Sequence, residues 1–329
     1  MADERATIYD VAKRAGVSVA TVSRYINHSG VVSEKAQLRI TDAVQELRYI
    51  PNTFAKSLKT SCSNLIMMIV PDISNEYYAE MYKVIQRAVG EHGYSILLIN
   101  TNGQPAEEQR ALQLAQQQHC DALAFFSLYD TSAMRQQVQA LGIPFLYNSS
   151  AHTSQEFEPS IHLTASHLIG LGHRDIVYVG GAPLTYINIM RKNGFLRAMG
   201  EHGLPCGPDR CIELDFSMEA GVRAGRLIAQ RPQRPTAICA ANDQLAFGII
   251  LALEEYGLQV PGDISLTGMD DVPFAKLITP KLTTIRNDYT GRGAHLAACL
   301  LAQLGIGSLP GEYVPPAPQV IVRGSTRAL

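Results

Sequence analysis

Ala15-Gly16-Val17-Ser18-Val19-Ala20-Thr21-Val22-Ser23-Arg24, residues 15–24, decides how the front of this chain is read. Glycine at 16 lets a helix end in a left-handed turn. Ser18 then caps a second helix that begins with small side chains and carries an arginine one turn further in. Two short helices joined in this way form a helix-turn-helix, whose second helix enters the major groove of DNA. Residues on either side supply its core. Ile8, Val11, Ala12 and Ala15 fall at helical spacing behind Thr7 and Asp10, which resemble a capping box. A second helix from Val19 to about Asn27 buries Val22 and Ile26. Ala36, Ile40, Ala43, Val44 and Leu47 make the apolar stripe of a third helix after a Ser33 cap. Residues 1–50 are therefore expected to form a helix-turn-helix DNA-binding domain.

Pro51-Asn52-Thr53-Phe54-Ala55-Lys56-Ser57-Leu58-Lys59 follows. Its proline suits a first helical turn, and the remainder is compatible with about two turns. A helix that short is marginal alone, so it is expected to form only against DNA or a partner chain. With the polar Thr60-Ser61-Cys62-Ser63, residues 51–63 read as a hinge helix and linker.

From residue 64 the pattern changes to apolar runs alternating with amphipathic helices. Strands are predicted at Leu65–Val70, Tyr94–Ile99, Asp121–Phe126, Pro144–Tyr147, Asp175–Val179, Thr236–Ala241 and Asp263–Gly268. Helices such as Tyr78–His92, Glu107–Gln118 and Gln244–Tyr256 separate them. Continuous apolar strands between helices imply an α/β fold with parallel sheets covered on both faces. So many strands exceed one comfortable sheet, and residues 64–329 are expected to form two α/β lobes.

Bulk composition agrees with a multi-domain globular chain. It has 329 residues, 46% hydrophobic and 18% charged. No run approaches the roughly 18–20 apolar residues of a membrane span. The N-terminus lacks the apolar core of a secretory signal, so the cytoplasm is expected. Six scattered cysteines lack metal-ligand spacing and read as free thiols, with no metal and no cofactor expected. Net charge is −2, yet residues 1–60 carry +3 and the remainder −5. A basic head on an acidic body suits a chain of which only the head meets phosphates.

In open α/β sheets, ligands bind beyond the carboxyl ends of the strands. Here those ends are followed by Asp72, Ser74, Asn75, Tyr77 and Tyr78, by Asn100 and Asn102, by Asn148, by Asn242 and Asp243, and by Asp270 and Asp271. Amides, carboxylates and aromatic rings converging on one cleft suit a sugar or nucleoside: fixed donors and acceptors for hydroxyls, flat faces for stacking. At any single position, Asn or Asp after a strand serves equally well as a turn former or helix cap. An enzyme reading finds no phosphate loop, no nucleophile elbow and no zinc-binding helix motif. Gly180-Gly181 follows a strand without the third glycine of a dinucleotide site. Asp270 and Asp271 are neighbours on a turn, and such pairs point apart. His119 and His173 read as surface or capping groups. Three classes of function thus stand side by side: a DNA-binding regulator, a sugar- or nucleoside-binding protein without a DNA role, and a sugar-processing enzyme. Only the first accounts for residues 1–60.

Thr7-Ile8-Tyr9-Asp10-Val11-Ala12, Gly16-Val17-Ser18, Thr21-Val22-Ser23-Arg24 and Asn27 closely resemble the head of the lactose-repressor/galactose-repressor (LacI/GalR) transcription regulators. Tyr49-Ile50-Pro51-Asn52 through Leu58 resembles their hinge helix. Asn242-Asp243-Gln244-Leu245-Ala246-Phe247-Gly248, Val260-Pro261-Gly262-Asp263-Ile264-Ser265 and Gly268-Met269-Asp270-Asp271 extend the resemblance through the body. It implies a two-lobed, periplasmic-binding-protein-like body behind the head, acting as a homodimer on a pseudo-palindromic operator under control of a small effector: a sugar, a sugar derivative or a nucleoside. By the same resemblance Val19, Ala20 and Arg24 face base edges, and Thr7, Tyr9, Ser18, Thr21, Ser23, Asn27, Tyr49 and Asn52 hold phosphates. Ala55 and Leu58 lie in the hinge helix, Leu58 as the minor-groove wedge. Asn75, Tyr77, Tyr78, Asn100, Asn148, Arg191, Phe216, Asn242, Asp270 and Asn287 surround the effector. Departures lie around that pocket: between Pro144 and the Gly172-His173-Arg174 turn the chain is about six to eight residues shorter than usual, and the family's Asp-Asn element before that helix has no clear counterpart. Tyr147-Asn148 replaces the commoner Asp-Arg, Glu76 stands where proline is common, and Met269 stands where an aromatic is. With no leucine heptad after Arg323, a dimer is expected rather than a tetramer.

Overall fold

A computed structural model describes residues 6–26, 29–49, 62–129, 131–148 and 154–329, excepting the side chains of 148 and 154–156. Asn27, the hinge positions Asn52, Ala55 and Leu58, and the Asn148 side chain lie outside the described residues. The chain divides into two compact units, Met1–Ser63 and Asn64–Leu329.

In the first unit, α1 (Ile8–Ala15), α2 (Val19–Ile26) and α3 (Glu34–Glu46) surround Val11, Ala12, Ala15, Val22, Ala36, Ile40 and Ala43. The Thr7–Asp10 capping box is complete, and Gly16 ends α1 at φ 64°, a left-handed value that glycine adopts at little cost. Ser18 accepts the Thr21 N–H at 3.2 Å, closing the start of α2. Two expectations change. Ser33 precedes α3 but its side chain makes no cap bond. Ile26 is half-buried at the core's margin, not inside it.

The second unit holds two sheets. β1 (Leu65–Val70), α4 (Glu76–Gly90), β2 (Ser95–Asn100), α5 (Pro105–Gln117), β3 (Ala122–Phe126), α6 (Ser132–Ala140) and β4 (Phe145–Asn148) build the first, in parallel order β2-β1-β3-β4. Side chains alternate across it as the pleat requires. Ile66, Met68 and Val70 pack on Met81, Ile85 and Val89 of α4. Met67 and Ile69 face Ala111 and Leu112 of α5 and Val138 of α6.

α7 (Ser154–Gly170), β5 (Ile176–Gly180), α8 (Tyr186–Glu201), β6 (Cys211–Glu213), α9 (Met218–Ala229), β7 (Ala237–Ala240), α10 (Asp243–Glu255) and β8 (Ser265–Thr267) repeat the plan, in order β6-β5-β7-β8. β9 (Thr284–Ile285) adjoins the β8 side through bridges Thr267–Thr283 and Asp270–Arg286. The chain then returns to the first lobe, where α11 (Tyr289–Gln303) packs Ala297, Leu300 and Leu301 onto the α4 face. β10 (Val320–Ile321) pairs antiparallel with β9. β6, β9 and β10 escape sequence reading because two or three residues carry no periodicity.

His173 corrects the surface reading given above. It is buried, its Nε2 donates to the Arg327 carbonyl at 3.1 Å, and its Nδ1 lies 3.0 Å from Thr236 Oγ1. It ties the C-terminal residues to the second lobe, and burial lowers its pKa.

Glu108 on α5 is fully buried; Ser127 donates to its Oε1 at 2.8 Å, while Oε2 has no partner among the described residues. Burial pushes its carboxyl up to about 7, against the opposing Ser127 bond. A raised folded pKa means the native state holds a proton the unfolded chain has released, so stability falls as pH rises from about 4.5 to 7. Thermal melts across that range should show a decline of up to about 3 kcal/mol that disappears in Glu108→Gln. An unchanged pH slope in the variant would assign the decline elsewhere.

Candidate functional site

Each sheet places its first strand beside its third, where the strand order reverses and the loops part. The loops after β1, β2 and β3 face those after β5, β6, β7 and β8 across one cavity of about 590 Å³.

The first lobe contributes polar loops. Asp72 Oδ1 accepts the Ser74 N–H at 2.9 Å and its hydroxyl at 2.7 Å. Asn75 caps α4, accepting the Tyr77 N–H at 3.1 Å. Asn100 accepts the Ile73 N–H at 3.0 Å and donates to Asn102 Oδ1 at 2.7 Å. The Tyr77 and Tyr78 rings meet edge to face at 5.1 Å, and Tyr78 leans on Phe126 at 6.1 Å. Burial, with Tyr77 second, raises the Tyr78 phenol far above its ordinary range, so it keeps its proton at neutral pH.

The second lobe contributes charge and rings. The Arg191 guanidinium lies over the rings of Phe157 at 4.9 Å and Phe216 at 5.4 Å. Nη1 donates to the Ala241 carbonyl at 2.8 Å, and Nη2 lies 3.6 Å from Asp270 Oδ1. Nε is buried without a partner among the described residues. Phe216 sits where it does because Gly181 has no side chain; a Cβ there would lie 2.3 Å from the ring. Gly181 thus makes room for the Phe216 ring, while Gly180 makes room for Asn188 and Tyr178.

Asp270 and Asp271 have φ of 129° and 52°, values that L-residues adopt only when their surroundings enforce them. The enforcement is visible. Asp270 N–H donates to Ile285 at 3.0 Å, and Asn287 Nδ2 donates to Asp270 Oδ1 at 3.0 Å. Asp271 pairs with Arg286 and Arg323, so the two neighbouring carboxylates do serve different partners. Behind them Asp243 accepts from Thr284 Oγ1 at 2.6 Å and the Val272 N–H at 3.1 Å. Burial raises the Asp243 carboxyl, and the nearby Asp270 charge raises it further. Burial also raises Asp270, opposed by Arg191 and the Asn287 bond.

Asn75, Tyr77, Tyr78, Asn100, Arg191, Phe216, Asn242 and Asp270 all line this cavity. Asn287 does not. It lines a smaller hollow of about 240 Å³ and reaches the cavity only through Asp270. Both readings of the strand-end amides hold at once, since Asn75 and Asn242 are helix caps that also form the wall. Sequence reading missed Phe157, which no strand end or motif marks. Among the described residues, two hydrogen bonds cross between lobes: Gln244 Nε2 to the Ser74 carbonyl at 3.2 Å, and the Phe274 N–H to Glu76 Oε2 at 3.0 Å. Glu76, the departure from proline, thus joins the lobes.

In the head, Ala20 and Arg24 are exposed one turn apart on α2, which carries no acidic side chain. Val19 is half-buried against the core, leaving less of it for an outside partner. Ser18 and Thr21 link their hydroxyls at 2.8 Å at the start of α2, where helix N–H groups favour an anion. Tyr9 is 71% exposed, a large ring with no core to fill. Thr7 donates to Asp10 Oδ2, Ser23 is half-buried, and Tyr49 packs on the core edge.

Residues 7–52 match the model of bacterial regulatory proteins, lacI family, and residues 165–326 match that of a periplasmic binding protein-like domain. The HTH-type transcriptional regulator DegA of Bacillus subtilis (strain 168) is 33% identical over 99% of each chain. The chain belongs to the LacI family. Another relative, the HTH-type transcriptional repressor PurR of Actinobacillus pleuropneumoniae serotype 3, is 32% identical over 98% of this chain and 99% of its own. A lac repressor dimer solved with operator and the anti-inducer ONPF superposes with TM-score 0.78, at 26% identity, over 99% of this chain and 100% of that one. This LacI-family chain is thus a DNA-binding transcriptional regulator and not an enzyme. Among its described residues no helix is long and apolar enough to cross a membrane.

Proposed function

We propose that this protein is a cytoplasmic repressor whose homodimer binds a pseudo-palindromic operator and whose grip is set by a sugar or nucleoside in the cavity between the lobes. One observation carries the effector reading. Arg191 and Asp270 from one lobe meet Asn75 and Tyr78 from the other across a single hollow. A small polar molecule held by both walls changes the relative free energy of the lobes' open and closed arrangements. It shifts operator affinity only by its differential affinity for those arrangements. Residues 1–50 form the reading head, 51–63 the hinge and 64–329 the body. Ala20 and Arg24 read base edges with the exposed part of Val19, and Thr7, Tyr9, Ser18, Thr21, Ser23, Asn27, Tyr49 and Asn52 hold the backbone. Ala55 and Leu58 enter the minor groove. The named repressor and operator-bound relatives support this reading.

Selection from randomised duplexes, then titration in rising salt, tests it. A falling log K against log salt with a recovered consensus is expected. No preference for any duplex, with and without candidate metabolites, would sink it. Arg24→Ala should cost about 1–3 kcal/mol of discrimination between consensus and mismatched duplexes. Equal loss on all duplexes would make Arg24 a phosphate contact instead.

A further inference from the structure

The cavity's charges are lopsided. Among the described residues, four carboxylates line it, Asp72, Asp215, Glu219 and Asp270, against one cation, Arg191. Arg191 already has Asp270 at 3.6 Å, and Asp215 is held from outside the wall by Arg223 at 2.7 Å. Asp72 and Glu219 then stand on the wall with no cationic partner among the described residues, and Asp72 is engaged only by the neutral Ser74. The remaining polar wall is amide and hydroxyl: Asn75, Asn100, Asn102, Gln104, Ser217 and Tyr78. Arg191 still offers a donor. Its side chain is 8% exposed and its Nε–H is unpartnered. Where the Arg191 side chain meets the cavity, a hydroxyl, ring or carbonyl oxygen of the ligand suffices as acceptor.

We infer that the cavity takes an uncharged polyhydroxylated effector and rejects the phosphorylated or carboxylated form of the same compound. The inference rests on the effector reading proposed above and narrows it. A hydroxyl donates to carboxylates and accepts from Arg191 and the amides, so every wall group finds a partner. A phosphate or carboxylate offers acceptors alone. It would meet half-buried Asp72 on the wall and exposed Glu219 at the rim, with Arg191 already beside Asp270; repulsion is only partly screened at Asp72 and more fully screened at Glu219.

Calorimetric titration of the full chain tests this with matched compounds: ribose and ribose 5-phosphate, glucose with glucose 6-phosphate and glucuronate, adenosine and its 5′-monophosphate. Wherever the neutral member binds, the anionic member is expected to bind at least about 100-fold more weakly. An anionic member binding as tightly as its neutral counterpart overturns the inference and leaves the effector reading intact. The double variant Asp72→Asn with Glu219→Gln should shrink the gap by about 10-fold, because an amide oxygen still accepts from a hydroxyl but no longer repels an anion. A gap unaltered in that variant refutes the part given to these two carboxylates. If no compound binds or shifts operator affinity, the effector reading falls and the inference with it.

Discussion

Asp270→Ala is expected to weaken binding of the tightest neutral ligand by at least about 100-fold, near 3 kcal/mol, while operator affinity without ligand stays within about 3-fold. Three features concentrate the effect on this residue. Its carboxylate lies on the cavity wall, accepts from Asn287 and sits 3.6 Å from the Arg191 guanidinium. Truncation removes an acceptor and leaves a buried cation without its anion. The head belongs to a separate compact unit, so its affinity for DNA is a second, independent readout. Asp270→Asn separates binding from folding. Because burial raises the Asp270 carboxyl, its contribution to stability is lost as pH rises through that raised value. At pH 7.5 the Asn variant should melt at or above the parent temperature and still respond poorly to ligand. A normal ligand response in either variant would remove Asp270 from the site.

Gly248→Ala should lower the melting temperature of the body by about 10 °C, corresponding to roughly 3 kcal/mol for a unit of this size. A Cβ at Gly248 would lie 2.0 Å from the Met218 carbonyl oxygen and 2.6 Å from the Val222 nitrogen. These are backbone atoms in the first turns of α9, so no rotamer change relieves the clash and α9 must move away from α10. The contact is reciprocal, with a Cβ at Gly221 falling 2.3 Å from the Leu245 carbonyl. Asn242 and Asp243 begin α10, so displacement there also moves the cavity wall and the support of Asp270. Differential scanning calorimetry distinguishes the outcomes, and a melting point within about 2 °C of the parent would show the two helices do not touch.

Much of this was legible before any coordinates. Ile66 to Val70 is apolar at every position, the mark of a strand covered on both sides, and both faces are indeed packed. Asn75 and Asn242 could be placed at strand ends by counting alone. Asn287 could not be assigned to the correct side of Asp270, since a residue two places beyond a strand faces whichever way its turn directs it. Phe157 was hidden for a similar reason. Nothing local distinguishes a ring on α7 that packs a core from one that stacks on Arg191. His173 misled because its partners, Thr236 and Arg327, lie far along the chain.

Sequence alone determined the class of the protein, because helix caps, turn glycines and strand patterning are short-range properties written in consecutive residues. Tertiary structure alone decided the chemistry of the cavity. It is there that Arg191 meets the rings of Phe157 and Phe216, that Asp271 is bound away by Arg286 and Arg323, and that Glu76 bridges to Phe274. Those contacts join residues from 15 to 198 positions apart, and only packing brings such groups within reach of one another.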